Sequence, residues 1–446
     1  MDWGGTGVLD PDQVGAVGID EGGDARVRAV VAPLVVMLPK TSCAKGVCCV
    51  EPLAWRADPI YHPVHGNRSR TKRMTLHLTY RSDTRVRERL DRWDTVVRRD
   101  TEVGPGNWRM LAVWPAARDA AVSGSTGIEG NPLSPAEVEE VLAGAAVDAD
   151  GAHIREVKNY NRALNLARDA AARPDFAWSH EVIHLINATI MEGLPRDTHG
   201  DYRRPGEDVF VGIFTGPSPV VVPSLMDELI EWLRRPDRTP PLVRSALLHL
   251  NVIAIHPFND GNGRTARILA AMELVRDGIR APELISIEAY LRRNRDEYVG
   301  ALRTTLGPSY DPDNHPVTEW LDYYTRISLD RLEARNRILD ALPTDLGVLA
   351  AALADAGEPL EWGATLLAAR VGRLRTGALA VLTGRSMPAA RAELGRLAQA
   401  GWLEPRGVTR GRWYAPSPRL AALPLRVPSL MTLLANGDQL NLFDAE

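Results

Sequence analysis

The stretch PPLVRSALLHLNVIAIHPFNDGNGRTARILAAMELVRDG occupies residues 240–278 and decides how the rest of the chain is interpreted. Residues 240–255 are apolar almost all round, which predicts a helix buried in a core. This helix should end near His256, because the residue before a proline disfavours the α conformation. Residues 264–278 have helical apolar spacing and end in a glycine, a common helix stop. The sequence therefore predicts two core helices joined by a polar loop at 256–263.

The loop and the first turn of the second helix carry the groups of a phosphate site. The N-terminus of a helix presents unpaired N–H groups and the positive end of the helix dipole, so it attracts anions. Gly261 and Gly263 allow a phosphate to approach the backbone closely. Arg264 and Arg267 are three positions apart on one helix face, so we expect both to reach the same polyphosphate.

Two residues of the loop supply chemistry as well as charge. Asp260 can hold a magnesium ion through one carboxylate oxygen, as phosphate sites usually require. His256 is expected to have a pKa near neutrality and to accept a proton from a hydroxyl group that attacks phosphorus. A turn that only joins two core helices would need none of these charged residues. The pattern predicts phosphoryl or nucleotidyl transfer.

The segment HPFNDGNGRTAR, at residues 256–267, resembles the Fic-family signature HPFx(D/E)GNGRxxR at every defining position. The resemblance covers roughly residues 75–335 and includes NYNRAL at 159–164 and His249 in the preceding helix. Fic proteins typically transfer AMP from ATP to a Ser, Thr or Tyr hydroxyl of a protein. The resemblance implies the same activity here, with ATP as substrate and Mg²⁺ as cofactor.

Each matching position takes a role from the resemblance. His256 would be the general base, Asp260 the Mg²⁺ ligand and Phe258 an anchor in the core. The GNG segment would cradle the α-phosphate, Arg264 would bind the β- and γ-phosphates, and Tyr298 would line the adenine pocket. The nucleotide-binding residues that the resemblance implies are Gly261, Asn262, Gly263, Arg264, Arg267 and Tyr298.

A second feature of the predicted Fic region lies between residues 200 and 223. Gly and Pro residues surround VFVGIF and VVV there, which predicts a short hairpin. A hairpin at 209–222 resembles the flap of Fic proteins, which holds the target segment beside the site by strand pairing. The predicted flap residues are Val209, Phe210, Val211, Gly212 and Ile213.

The segment STGIEGN, at residues 125–131, resembles the inhibitory motif of the family, (S/T)xxxE(G/N), through Ser125 and Glu129. The resemblance implies an inhibitory helix near 123–131, of the subclass in which this helix precedes the main domain. Glu129 would pair with Arg267 and keep its guanidinium away from the γ-phosphate. A glycine within a helix costs about 1 kcal/mol relative to alanine, so Gly127 predicts a weakly held helix.

Residues 336–426 are expected to form a separate winged helix-turn-helix unit. Two helical stretches flank a Gly-Arg turn, Ser386 is placed to cap the second, and two short strands follow. Residues 363–420 contain ten Arg against Glu393 and Glu404, a net charge of +8, whereas the whole chain carries −4. This asymmetry predicts DNA binding. A winged helix that contacts proteins remains the alternative.

The two ends of the chain are expected to lack a core. Residues 1–73 lack a sustained apolar period, which predicts a disordered leader with unpaired cysteine thiols and a native start at Met74. A zinc site that uses these cysteines and a nearby histidine is the disfavoured alternative. Residues 427–446 are expected to be a flexible tail. Its residues Gln439, Leu440, Leu442 and Phe443 resemble the QLxLF peptide that docks on bacterial sliding clamps, unless the tail folds back on its own chain.

These observations predict a mainly α protein: an N-terminal helical region at 74–200, a Fic core at 200–335 and the winged helix. With 45% hydrophobic and 25% charged residues, we expect a soluble cytoplasmic protein. We predict an adenylyltransferase that Glu129 inhibits, with another protein or its own chain as the substrate, and family precedent makes a homodimer plausible. The alternatives are a nucleotide-sensing DNA-binding regulator, AMP removal by the same site, and transfer of UMP, GMP or phosphocholine. Phosphate transfer is disfavoured, because Gly263 stands where Doc-type relatives carry lysine.

Overall fold

The computed structural model of the chain describes residues 75–80, 83–97, 108–195, 197–235, 238–279, 282–407 and 412–426. The expected leader with its cysteines, the start at Met74 and the clamp-like tail segment lie outside these residues. No helix in the described ranges is long and apolar enough to cross a membrane.

Helices dominate the described part of the chain. In chain order they are α1 (Thr84–Val96), α2 (Trp108–Ile128), α3 (Pro135–Leu142), α4 (Gly151–Ala171), α5 (His180–Met191), α6 (Val222–Arg234), α7 (Pro241–Ile255), α8 (Asn262–Arg276), α9 (Glu288–Arg293), α10 (Arg295–Leu306), α11 (Thr318–Asp355), α12 (Gly363–Val371), α13 (Thr376–Thr383), α14 (Met387–Gln399) and α15 (Pro418–Ala421). The strands form two antiparallel pairs, β1 (Phe210–Val211) with β2 (Phe214–Thr215) and β3 (Leu403–Arg406) with β4 (Trp413–Pro416). The expectation of a mainly helical fold is confirmed.

Helices α7 and α8 form the centre of a first core, as the sequence predicted. α7 begins at Pro241, whose fixed φ suits the first turn of a helix, and is buried on nearly every side. It ends where predicted, because His256 leaves the helix in the left-handed conformation and Pro257 follows. α8 begins after Gly261, and Gly278 follows its end with a φ of 95°.

Side-chain caps fix where the helices beside this pair begin. Ser134 and Glu137 form a capping box at the start of α3. The side chains of Asp150 and Ser179 accept hydrogen bonds from backbone N–H groups at the starts of α4 and α5. Both α4 and α5 pack against α8, so these caps also position the side chains that reach the loop before α8.

The predicted hairpin is present, but it is shorter than expected. Strands β1 and β2 pair Phe210 with Thr215 and Val211 with Phe214. The expectation that the VVV stretch joins the hairpin is wrong, because Pro219–Val221 forms a 3₁₀ helix that leads into α6. Proline at the start of this turn favours a helix and lacks the N–H group that a strand ladder needs.

Helix α11 continues across the boundary expected at residues 335/336. It runs from Thr318 to Asp355 without interruption, so no linker separates the two parts of the chain at that point. Its first half buries Trp320 in the first core, and its second half buries Leu349 and Leu353 in a second core. The expected division between the Fic core and the C-terminal unit therefore falls inside a helix.

The C-terminal unit contains the elements that the sequence predicted. α13 is followed by Gly384 in the left-handed conformation (φ 65°), and the side chain of Ser386 caps α14, with Pro388 in its first turn. Strands β3 and β4 form a hairpin after α14. The Tyr414 N–H donates to the Leu374 carbonyl oxygen at 2.8 Å, which attaches this hairpin to the segment before α13.

Helix α2 contributes side chains to both cores. Val113, Ala116 and Ala117 in its first half are buried in the second core, where α2 packs on α12 and α13. Ala121 and Val122 in its second half belong to the first core. The helix is also longer than the inhibitory helix expected near 123–131, since it begins at Trp108.

Candidate active site

His256 lies at the end of α7, where the backbone turns out of the helix. Its φ of 50° is rare for a residue other than glycine, and the strain has to be supported by its surroundings. The His256 Nδ1 lies 3.3 Å from the Ile253 carbonyl oxygen. Burial of the ring lowers the pKa of His256 to about 4, and the nearby Arg203 guanidinium also lowers it. The expected pKa near neutrality is therefore wrong. The imidazole is neutral at pH 7, the form that accepts a proton.

Arg203 supports the strained turn, and the sequence did not single it out. Its backbone N–H donates to the Pro257 carbonyl oxygen at 2.9 Å. Its guanidinium donates from Nε to the His256 carbonyl oxygen at 2.8 Å and from Nη2 to the Ile255 carbonyl oxygen at 3.2 Å. Because Arg203 is only 2% exposed, these hydrogen bonds hold the backbone on both sides of the imidazole in one position.

The same guanidinium also connects this turn to the segments that flank the flap hairpin (β1, β2 and the turn between them). Nη1 donates to the Glu207 carbonyl oxygen at 3.3 Å, and Nη2 donates to the Pro217 carbonyl oxygen. One residue therefore positions His256 relative to the hairpin.

The loop between α7 and α8 leaves the first N–H groups of α8 available to an anion. Gly261 has a φ of 77°, and a Cβ at this position would lie 2.9 Å from the Asn187 Nδ2 atom. That Asn187 amide donates to the Asp260 carbonyl oxygen and to the Thr265 hydroxyl, both at 3.1 Å. The Asn262 side chain exchanges hydrogen bonds with the backbone N–H and C=O of Phe258. Asn262 can therefore offer only its backbone N–H to a phosphate.

Asp260 has a carboxylate that fits the role of a magnesium ligand. Its Oδ1 accepts hydrogen bonds from the Gly261 N–H at 2.5 Å and from Arg264 at 3.1 Å, while the side chain is 37% exposed. No group of three or more His, Cys, Asp or Glu side chains within the described residues forms a metal site. A Mg²⁺ ion at Asp260 would therefore take most of its ligands from phosphate and water, as is usual for this ion.

Arg264 and Arg267 both lie in the first turns of α8 and are both engaged by carboxylates. The Arg264 Nη1 donates to Glu156 Oε1 at 2.6 Å, and this guanidinium is 6% exposed. The sequence did not predict this partner. Arg267 is still more buried, at 1% exposed, and contacts the end of α2. The predicted polyphosphate-binding arginines are thus brought together, each with an acidic partner within the chain.

Ser125 and Glu129 together engage Arg267. The Arg267 Nε donates to the Ser125 hydroxyl at 2.8 Å, and Nη2 donates to the Ser125 carbonyl oxygen at 3.1 Å and to Glu129 Oε1 at 2.7 Å. Burial alone would raise the pKa of the Glu129 carboxyl, but the guanidiniums of Arg267 and Arg264 outweigh burial and lower it. Glu129 is therefore ionised at neutral pH, as the predicted pairing requires.

The Glu129 carboxylate also occupies the space above the first turn of α8. A Cβ added at Gly263 would collide with Glu129 Oε1. This is the place where unpaired N–H groups and the helix dipole attract an anion. A carboxylate of the chain thus lies beside the turn where the sequence predicts phosphate binding.

Two glycines allow α2 to bring Glu129 so close to α8. A Cβ at Gly124 would lie 2.5 Å from the Glu288 carbonyl carbon, and one at Gly127 would collide with the Arg292 side chain. Arg292 in turn donates to the carbonyl oxygen of Ser123 at 3.0 Å. The expectation that Gly127 weakens this helix misses its packing role, because glycine lets α2 and α9 pack closely here.

Tyr298 lies deeper than expected for a residue that lines an adenine pocket. It is 4% exposed, and its hydroxyl lies 3.0 Å from His249 Nε2. Burial raises the pKa of Tyr298 to about 12, although Arg267 opposes this shift. Its predicted contact with adenine stays a prediction, while Phe258, with no exposed surface, is the core anchor that was expected.

The flap hairpin exposes its apolar side chains at the site. Phe210, Val211 and Ile213 are 71%, 50% and 69% exposed. Gly212 in the turn is also exposed, and Val209 before β1 is partly buried. Strand β2 is held in place because the Thr215 N–H donates to the Pro308 carbonyl oxygen at 2.9 Å. Strand β1 is the free edge of this two-stranded pair.

The fold and the site define a helical domain in which a neutral histidine and the Glu129 carboxylate lie at the loop and first turn of α8. Residues 177–274 match the Fic/DOC family. The matched range contains Arg203, the flap hairpin, His256 and most of α8.

Two curated relatives show how far the similarity extends. A probable protein adenylyltransferase of Aquifex aeolicus is 32% identical over 174 residues, which are 37% of this chain and 51% of that protein. The protein adenylyltransferase Fic of Aedes aegypti is 29% identical over 290 residues, which are 62% of this chain and 52% of that protein. The chain thus spans about half the length of these relatives. The solved structure of a Fic family protein from Desulfovibrio desulfuricans G20 is 22% identical, with a TM-score of 0.45, and covers 75% of this chain and 94% of its own.

Proposed function

We propose that the chain is a protein adenylyltransferase that transfers AMP from ATP to a hydroxyl group of a protein, and that Glu129 keeps it inactive. One observation carries this proposal: the Glu129 carboxylate binds Arg267 at 2.7 Å and lies over the first turn of α8, above Gly263. An internal carboxylate at a phosphate position is expected of a transfer site that is closed by its own chain. The curated relatives named as adenylyltransferases support the choice of AMP.

The residues account for each part of the reaction. The hydroxyl oxygen of the target attacks the α-phosphorus, the bond from this phosphorus to the bridging oxygen of the β-phosphate breaks, and pyrophosphate leaves. His256 accepts the hydroxyl proton, since its imidazole is neutral at pH 7. The N–H groups at the start of α8 stabilise the charge on the α-phosphate. Asp260 would hold Mg²⁺, which would supply charge neutralisation for the departing pyrophosphate.

Arg267 is the residue that the inhibition acts on. When the Glu129 carboxylate moves away, the Arg267 guanidinium becomes available to the γ-phosphate. Arg264 lies next to Arg267 in the first turns of α8. A polyphosphate held at both arginines directs the α-phosphate toward His256. While Glu129 stays, its charge repels the γ-phosphate, and ATP binds in an unproductive position.

The flap hairpin provides the surface for a protein substrate. The open edge of β1 can pair with an extended segment of the target, and Phe210 and Ile213 can cover its side chains. A segment of this chain or of another copy can serve as the target, so self-modification belongs to the proposal.

The proposal is tested with α-labelled ATP and Mg²⁺. Wild type, Glu129→Gly and Glu129→Gly/His256→Ala are compared alone and in a cell lysate, with intact mass measured alongside. We expect label and a mass gain of one AMP with Glu129→Gly, and neither with the double variant. Label that does not depend on His256, or no label with Glu129→Gly, would reject the proposal. Loss of AMP from a modified protein would instead favour removal of AMP, with Glu129 orienting a water molecule. Label with UTP or GTP alone would change the nucleotide.

A second function is favoured by the C-terminal unit, which we propose is a winged helix that binds DNA. In α14 the buried face holds Ala390, Leu394 and Leu397, while Arg391 and Arg396 are exposed. Such a helix and a basic hairpin form a common DNA-binding arrangement. Fluorescence anisotropy with labelled duplex DNA tests this function, and affinity that Arg391→Glu leaves unchanged would reject it. A homodimer, a sliding clamp partner and a cytoplasmic location stay predictions.

A further inference from the structure

Helix α2 links the C-terminal unit to the inhibitory carboxylate. We propose that duplex DNA, when bound by α14 and the β3–β4 hairpin, weakens the ion pair between Glu129 and Arg267 and thereby activates the transfer site. This inference rests on the proposed function, and it assigns the regulation of that same site. It is carried by two connections between the C-terminal unit and the inhibitory segment.

The first connection is the first half of α2. Val113, Ala116 and Ala117 are buried in the core of the C-terminal unit. A Cβ added at Gly372, just after α12, would lie 3.3 Å from the Ala116 Cβ, so the end of α12 lies directly against α2. This half of α2 therefore has to follow any movement of α12.

The second half of α2 carries the inhibitory residues. Ser125 lies within the helix and Glu129 just after its end. From Ala117 to Glu129 is about 18 Å at 1.5 Å per residue, and a continuous helix transmits a displacement over that length. A Cβ at Gly124 would lie 2.5 Å from the Glu288 carbonyl carbon, so α2 lies closely against α9 here and a displacement of α2 disturbs this packing. A shift of the first half therefore changes the position of the Glu129 carboxylate relative to Arg267, and their 2.7 Å hydrogen bond does not tolerate a large change.

The second connection runs through Arg373. Its guanidinium lies 4.8 Å from the centre of the Trp413 ring on β4, which is a cation–π contact. It also forms ion pairs with Glu139 at 3.2 Å and with Glu140 at 3.1 Å, both on α3. α3 directly follows the inhibitory segment in the chain. Arg373 thus ties the hairpin to the element on the other side of Glu129.

The surface that would contact DNA adjoins this second connection. Arg406 and Arg412 are exposed at the hairpin, and Arg412 directly precedes Trp413. Phosphates bound there attract the Arg373 guanidinium and repel Glu139 and Glu140, so they weaken the ion pairs to α3. Within the C-terminal unit α2 packs on α12 and α13, so DNA on α14 and the hairpin does not need to displace it.

The test uses the full chain and a mixed-sequence duplex of about 30 base pairs at roughly 50 mM salt, where phosphate contacts are strong. Hydrogen exchange of the backbone amides in residues 122–130 is measured with and without DNA, since it reports release of the inhibitory segment without any need for activity. AMP transfer is measured in parallel. The Arg391→Glu/Arg396→Glu variant, which changes only exposed side chains, is the control.

We expect DNA to raise exchange in residues 122–130 and AMP transfer by wild type, each by at least about fivefold. Neither should change in the control variant, and DNA should leave the transfer rate of Glu129→Gly unchanged. Bound DNA with no change in exchange would overturn the inference, and so would the absence of DNA binding. If exchange rises but no variant transfers AMP, the coupling stands and the proposed adenylyltransferase activity fails.

Discussion

The Glu129 carboxylate accepts a hydrogen bond from the Arg267 guanidinium at 2.7 Å, although 138 positions separate the two residues in the chain. Arg267 is 1% exposed and donates to Ser125 as well, so it cannot contact a polyphosphate freely while Glu129 stays in place. The same carboxylate lies over Gly263, where an anion would bind. One side chain therefore both engages Arg267 and lies beside the predicted phosphate position, which is why we propose that it inhibits transfer.

The pH dependence of transfer follows from the histidine. Because burial lowers the pKa of His256 to about 4, the imidazole stays neutral and the rate of Glu129→Gly should change less than about twofold between pH 5.5 and 8. The measurement is the rate of AMP transfer over that range, with ATP binding followed at each pH as the control. A rate that falls with a midpoint near 6.5, while ATP binding is constant, would contradict this expectation.

Acid should not activate the wild-type protein. The pKa of Glu129 lies below its ordinary value, so the ion pair with Arg267 contributes its full stability above the ordinary carboxyl pKa. That stability is lost only as the pH falls through the lowered pKa. Transfer by wild type at pH 5.5 should therefore be as low as at pH 7.5. A clear rise at pH 5.5 would show that the carboxylate is released at a higher pH than the structure indicates.

Arg203 is predicted to position the histidine. In the Glu129→Gly background, Arg203→Met should lower kcat by about 100-fold, since misplacing a reacting group by about 1 Å has effects of this size. Arg203→Lys should recover little, because one ammonium cannot replace the fork that reaches Ile255, His256 and Pro217. ATP affinity should stay within about twofold of the background. Equal losses of ATP affinity and kcat would indicate a general structural role.

Replacing Gly124 by alanine should destabilise the protein, whereas the same replacement stabilises a protein at most glycines within helices. Glycine in a helix costs about 1 kcal/mol relative to alanine, but a Cβ at Gly124 would lie 2.5 Å from the Glu288 backbone. Overpacking costs roughly 1–3 kcal/mol, so Gly124→Ala should lower the free energy of unfolding and raise AMP transfer. Thermal unfolding and labelling measure the two effects.

The control for this substitution is Gly347→Ala within α11. Its Cβ would meet no atom within 4 Å, so only the gain in helix propensity remains and the protein should become more stable by about 0.5–1 kcal/mol. If both alanine variants stabilise the protein, the close contact between α2 and α9 does not limit the position of the inhibitory helix.

The flap hairpin is predicted to select the protein substrate without affecting ATP. In the Glu129→Gly background, Ile213→Asp should lower labelling of protein targets by about tenfold, because a charge would be buried against the bound segment. Val220→Asp is the matched control, since Val220 is 70% exposed and Ile213 is 69% exposed, but Val220 lies outside the hairpin. The two variants are compared by labelling and by ATP binding. Equal effects of the two variants would remove the hairpin from substrate binding.

The sequence predicted helix ends and loops correctly where the residues that determine them are close together in the chain. The proline after His256, the glycines of the loop and the cap at Ser386 each act within a few residues, and the elements they predict are present. The pairing of Glu129 with Arg267 was expected only because the family motif supplied a partner at long range.

Contacts between distant segments could not be predicted from local pattern. Nothing in the residues around Arg203 shows that its guanidinium reaches carbonyl groups more than 50 positions away. Glu156 looks like an ordinary helix carboxylate until it is seen against Arg264. A hydrogen-bonding role of Asn187 could have been predicted, because a polar residue on the buried face of α5 needs a hydrogen-bond partner. The low pKa of His256 likewise depends on burial by the whole fold.

The most direct test of the central claim asks whether activation by removal of Glu129 requires Arg267. AMP transfer is measured for wild type, Glu129→Gly, Arg267→Ala and Glu129→Gly/Arg267→Ala under the same conditions, with circular dichroism to verify folding. If Glu129 acts by holding Arg267, Glu129→Gly should raise the rate by at least about tenfold, a change of about 1.4 kcal/mol. The double variant should return to the wild-type rate. A double variant as active as Glu129→Gly would contradict the account, since the inhibition would then not act through Arg267.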